Sequence, residues 1–97
     1  MSTRVFDRGS SGFLDGRDLE ASPPLTIRRV RLWDDVPRQR VVGQLPHGTR
    51  VRVLDRREHD GRTYYQVEAR GGLRRRRGWV WSAFLSDRRH EPVGDWF

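Results

Sequence analysis

Two kinds of side chain carry the chemistry of this sequence, arginine and the aromatic rings. They meet in the stretch GGLRRRRGWVWSAFL, residues 71–85. All 20 basic residues are arginine, and the formal charge is +7. Codon usage in a GC-rich genome gives such a bias, and so does selection for the guanidinium fork. That fork pairs bidentately with phosphate or carboxylate and stacks on ring faces. Either origin leaves a surface that attracts polyanions. Arg50 and Arg52 fall on one side of TRVRVL, with Val51 and Val53 on the other. Arg74, Arg75, Arg76 and Arg77 follow one another directly, so a strand would send alternate members to opposite sides. As a block they read as a solvated hairpin tip. Sharing a face with Arg50 and Arg52, part of the block would form a basic patch that tracks phosphates, with nearby rings stacking on unpaired bases.

Catalytic chemistry finds no such concentration. His47, His59 and His90 sit at expected turns or near the C-terminus, without metal-ligand spacing. Asp34, Asp35, Asp55, Glu58 and Asp60 cluster in expected loops, where acids on a basic protein serve solvation and charge balance. Cysteine is absent, which excludes disulfides and thiolate metal sites. The reading is no enzyme, no cofactor and no metal. No segment has the length of a signal peptide's apolar stretch or of a membrane span, so the expectation is a cytoplasmic protein with no membrane partner.

The elements that must position these side chains are short strands. Residues 1–22 mix Gly, Ser, Asp and Pro without a sustained period and read as a flexible N-terminal tail. Three arginines face four acids there, a net −1, so the rest of the chain carries +8. From residue 25 the pattern changes to about five strands with turn signals between them, at Leu45-Pro46-His47-Gly48, Asp60-Gly61 and Gly71-Gly72. No helix longer than a turn is evident. This predicts a small all-β barrel or sandwich over 23–86, with Val51, Val53, Val67, Val80 and Leu85 pointing inward, and a polar extension over 87–97. Trp96 and Phe97 at its end read as exposed docking points.

The segment VVGQLPHGTRVRVLDRREHDGRTYYQVEARGGLRRRRGWVWSAFL resembles the bacterial SH3-like (SH3b) domain family. Val42-Gly43, Leu45, Gly48, Val51, Val53, Tyr64-Tyr65, Val67 and Gly78-Trp79-Val80 match its pattern in order. The resemblance covers residues from about 25 to about 85. It departs at the start, where LTIRRVRLWDDVPRQ replaces the usual Val-Arg-Ser-Gly-Pro-like opening. The resemblance implies an SH3-like barrel with Val80 and Leu85 in the core. It also implies a groove: Trp81 falls where SH3 domains carry a groove proline, Phe84 where they carry a groove tyrosine, and Tyr64 at the first position of their aromatic pair. Trp33 lies in the loop that walls the groove, and Asp34 and Asp35 would put negative charge at its edge. The alternative is that Trp81 and Phe84 cover a thin core from outside; Trp79 is assigned to the core or its edge.

The expected function is a non-enzymatic binding module that recruits a protein or peptide partner, an acidic one if the arginines steer it. The runner-up is an RNA- or DNA-binding barrel that uses the arginine face. A third reading follows from the resemblance, since SH3b domains often bind cell-wall peptidoglycan in secreted hydrolases. The lack of a signal segment and of a catalytic set places it last.

Overall fold

The computed structural model describes residues 6–37, 40–71 and 74–94, with positions 70, 71, 74 and 75 described by backbone alone. Among the described residues the chain forms nine strands and one 3-10 turn. They are β1 (Ser11–Leu14), β2 (Arg17–Asp18), β3 (Leu25–Thr26), β4 (Arg29–Trp33), β5 (Val41–Pro46), β6 (Arg50–His59), β7 (Arg62–Gly71), β8 (Arg74–Trp81), the turn Ser82–Phe84 and β9 (Leu85–Ser86). Seven of them make one antiparallel, curled sheet in the order β5-β4-β8-β7-β6-β1-β9, and β2 pairs with β3 alone. The all-β, SH3-like barrel expected from the sequence is the fold observed.

Alternation builds it. Val30 and Leu32 of β4, Val51 and Val53 of β6, Tyr65, Val67 and Ala69 of β7, and Val80 of β8 face one side and form the core with Phe6, Leu14, Leu45 and Leu85. The β6–β7 hairpin closes through Asp60 and Gly61, both at positive φ (54° and 76°), with His59 opposite Arg62. This is the two-residue turn that Asp-Gly favours, because its backbone twist matches that of the strands. Between Val53 and Asp55 the register shifts by one residue. Such a bulge tightens the twist and turns the strand toward closure.

The N-terminal segment corrects the sequence reading. Residues 6–18 were expected in a flexible tail, yet β1 lies between β6 and β9 and pairs with both. Leu14 is buried in the core, and the Phe6 ring meets Tyr65 edge-on at 5.4 Å. The Phe6 N–H donates to the Tyr65 hydroxyl at 3.1 Å, so the most buried ring of the barrel has its polar end satisfied by this segment. The expected boundary at residue 22 falls inside the β2–β3 pair, where Arg17 faces Thr26 and Asp18 faces Leu25. The C-terminal extension also docks. The fully buried Thr26 hydroxyl donates to the Val93 carbonyl at 2.7 Å and accepts from the Val93 N–H at 2.6 Å. Trp96 and Phe97 lie outside the described residues.

Asp15 ties this N-terminal region together. Burial disfavours its charged form, but the Arg17 guanidinium and the Arg17 N–H outweigh that cost and hold its carboxyl below the usual carboxylate range. A depressed folded-state pKa contributes stability above the unfolded value, which is lost as pH falls through the folded one. Stability should therefore decline once pH drops below about 4. Urea midpoints of the wild type and Asp15→Asn, measured at pH 7 and pH 3, check this. The variant should be weaker at pH 7, and the gap should narrow in acid.

Candidate functional site

With Tyr65, Val67 and Val80 inside, the pleat sends Tyr64, Gln66 and Glu68 of β7, and Arg77, Trp79 and Trp81 of β8, to the outer face. Register then sets them in rows. Arg57, Tyr64 and Trp81 stand opposite one another across β6, β7 and β8. In the next row Asp55 faces Gln66, Gln66 faces Trp79, and Trp79 faces Trp33 of β4. The result is a second apolar cluster, outside the barrel core. Val36, Tyr64 and Trp79 are its buried members, with the half-buried Trp33 and Trp81 packed against them.

The loop between β4 and β5 covers one side of this cluster. Asp34 ties its ends: its N–H donates to the Arg40 carbonyl and its carboxylate accepts from the Arg40 N–H, both at 3.0 Å. Asp35 accepts from the Val36 N–H and from Arg57, each at 2.7 Å. These two donors hold its carboxyl below the usual range. Arg57 also donates to the Val36 carbonyl at 3.3 Å, and its guanidinium lies 4.7 Å from the centre of the Trp79 ring. Arg62 stacks on Trp81 at 4.6 Å, and Trp81 meets Phe84 edge-on at 6.1 Å. Each cation–π contact at such half-exposed sites contributes about 0.5–1 kcal/mol.

Of the six residues expected in a groove, Trp33, Tyr64, Trp81 and Phe84 are brought to one region. Tyr64 is not a wall but the floor, only 6% exposed beneath the tryptophans. Phe84 is partly buried and packs against the main core as well as meeting Trp81. Trp79 is buried as expected, though in the outer cluster. Asp34 and Asp35 are exposed at the edge, but the charge of Asp35 is already paired with Arg57. Sequence reasoning missed Val36, Arg57 and Arg62 as parts of this site. The Asp60-Gly61 turn held the signal for Arg57. A two-residue hairpin places 59 opposite 62, so alternation carries 57 to the side of Tyr64.

The arginine block is not a hairpin tip. Arg74 to Arg77 belong to β8, opposite Gly71, Arg70, Ala69 and Glu68, and residues 72–73 lie outside the described residues. Arg50, Arg52, Arg76 and Arg77 are exposed. Arg76 donates to the Gln44 carbonyl at 3.2 Å, across to β5, while Arg77 turns to Glu68 on the outer face.

A family model, the bacterial SH3 domain, matches residues 36–86. The chain belongs to the bacterial SH3 domain family. Its members are generally binding modules, and for this chain the family supports a binding module at most. The matched span runs from the covering loop through β9, and so excludes β1 to β4 together with Trp33. Neither the curated proteins nor the solved structures give a match to the chain. Among the described residues no helix is long and apolar enough to cross a membrane, and no three of His, Cys, Asp and Glu group as metal ligands. The His47 ring binds backbone at both nitrogens. His47 accepts from the Gly16 N–H at 2.9 Å through Nδ1 and, in that tautomer, donates from Nε2 to the His90 carbonyl at 2.7 Å. His90 in turn bonds the Ser86 hydroxyl at 2.8 Å.

Proposed function

We propose that this bacterial SH3 domain is a non-enzymatic module that recruits a protein or peptide partner on the outer face of β4 and β8. The observation that carries the reading is the second apolar cluster. Trp79 is buried there, but Trp33 and Trp81 keep part of their ring surface uncovered on the outer face, where a partner can reach it. Tyr64, Val36 and Trp79 make a rigid floor, and Trp33, Trp81 and Phe84 offer half-buried ring surface above it. An extended segment with an apolar anchor fits such a surface, since rings of few torsions lose little entropy on binding. Arg62, exposed above Trp81, then pairs with a carboxylate of the partner, which favours an acidic segment. Arg57 is already held by Asp35 and serves the floor.

The test is affinity capture from nuclease-treated lysate of the source cell, followed by titration of the captured protein. Trp81→Ala should weaken its binding by more than tenfold, the loss of an aromatic anchor worth about 2 kcal/mol. The thermal midpoint should shift by only a few degrees. If Trp81→Ala binds as the wild type does, the aromatic face is not the site. If binding is lost only in step with unfolding, these rings serve the core alone.

A further inference from the structure

The same sheet face has a second end, which the aromatic cluster does not use. Beyond the row of Trp79 the register sets Ser11, Arg52, Glu68 and Arg77 side by side across β1, β6, β7 and β8. One step further along β6 stands Arg50, and the paired positions 70 and 75 of β7 and β8 are arginines too. Arg50, Arg52 and Arg77 are exposed. Other acids are already paired with arginine: Asp15 with Arg17, Asp35 with Arg57, Glu58 with Arg56, and Asp55, in the neighbouring row, with Arg8. Here the counter-charge among the described residues is Glu68. Its side chain is 14% exposed, it stands 3.6 Å from Arg77, and its Oε1 has no hydrogen-bond partner.

We propose that this end of the sheet binds the phosphate backbone of a single-stranded nucleic acid. Neighbouring same-face arginines on a strand lie about 6.8 Å apart, comparable to the separation of successive phosphates on an extended strand. Rigid β-strands fix that spacing in advance, and each guanidinium fork takes one phosphate. Glu68 sits beneath them, orients Arg77 and subtracts one charge. Phe13, opposite Arg50, is half-buried, and the exposed large apolar residues among those described, Leu19, Val41 and Val42, lie off these strands, which favours a nucleic acid over an anionic membrane.

Fluorescence anisotropy of a labelled oligouridylate, followed from about 50 to 200 mM salt, tests the proposal in the full chain. The log of the affinity should fall linearly with the log of salt, by about 0.7 per phosphate neutralised. Arg52→Gln and Arg77→Gln should each weaken binding roughly twofold to fivefold, the effect of one exposed charge, and reduce the slope by about 0.7. Glu68→Gln, nearly isosteric, should tighten binding by a similar factor. Arg56→Gln removes the same charge from the opposite side of β6 and should leave affinity within error. The site is overturned if Arg56→Gln weakens binding as much as Arg52→Gln, since net charge alone would then suffice. It is overturned equally if no binding occurs at low salt, or if phosphatidylserine vesicles show the arginine dependence and the oligonucleotide does not.

Discussion

A fragment that begins at residue 19 is expected not to fold, although it contains the whole span matched by the family model. The deleted segment holds the strand that joins β6 to β9, and without it β9 has no partner in the sheet. Besides the ladder pairs of β1 and β2, six backbone bonds to the rest of the described residues go with it, one of them from the Ile27 N–H to the Gly16 carbonyl at 2.7 Å. Leu14 donates to Thr49 and accepts from Gly48, Gly9 donates to Val53, Val53 donates to Ser10, and Asp15 donates to Phe84, at 2.7–2.9 Å. Two apolar side chains leave the core. Leu14 is 1% exposed and Phe6 8%, and burying each fully contributes about 1.5–3 kcal/mol. The exposed edge of β6 and the opened core then face water, against a total stability of about 5–15 kcal/mol for a domain of this size. Far-UV circular dichroism and thermal unfolding of the fragment should show no cooperative transition. Leu14→Ala in the full chain provides the graded version and should cost about 2–5 kcal/mol. A fragment that melts cooperatively would show that β1 is an accessory to the barrel.

The reason this strand was not legible is physical. SGFL is four residues long, follows glycine and serine, and owes its place to partners some forty and seventy residues away. Nothing local distinguishes it from a loop. The same holds for β2 and β3, two residues each, and for Thr26, whose burial depends on Val93. By contrast, Val51, Val53, Val67 and Val80 were readable. Their alternation is local, and the Asp60-Gly61 turn fixes the register that aligns β6 with β7. The outer cluster lies between these cases. The parity that puts Trp79 and Trp81 on one face is in the sequence, but the approach of Trp33 and the folding of Val36 over them are not. Those contacts depend on β4 crossing to β8, an event with no local signature beyond one glycine.

That glycine is Gly78, and replacing it should damage the core and the site together. A Cβ built there would stand 2.6 Å from the Leu32 Cβ and 3.1 Å from the Trp33 carbonyl oxygen. Both belong to β4, and the first is bonded directly to the backbone and cannot swing aside. Gly78 thus sets how closely β4 approaches β8, and that distance decides whether Leu32 reaches the core and Trp33 reaches Trp79. Gly78→Ala is expected to cost about 1–3 kcal/mol through forced separation, and Gly78→Val more. Gly43→Ala is the matched control in β5, where the added methyl would meet only the Leu32 Cδ1, at 3.9 Å, and stability should stay within about 0.5 kcal/mol. Urea unfolding measures the first effect. Near-UV circular dichroism measures the second, because the asymmetric packing of Trp33, Trp79 and Trp81 depends on β4 being in place. Even under conditions where Gly78→Ala remains folded, the tryptophan signal should fall and partner binding should weaken beyond the stability loss, since the floor and the wall of the aromatic face sit on the two strands being pushed apart. If stability drops while the tryptophan signal is unchanged, Trp33 is held by its own loop, and the crossing of β4 over Gly78 is not what assembles the site.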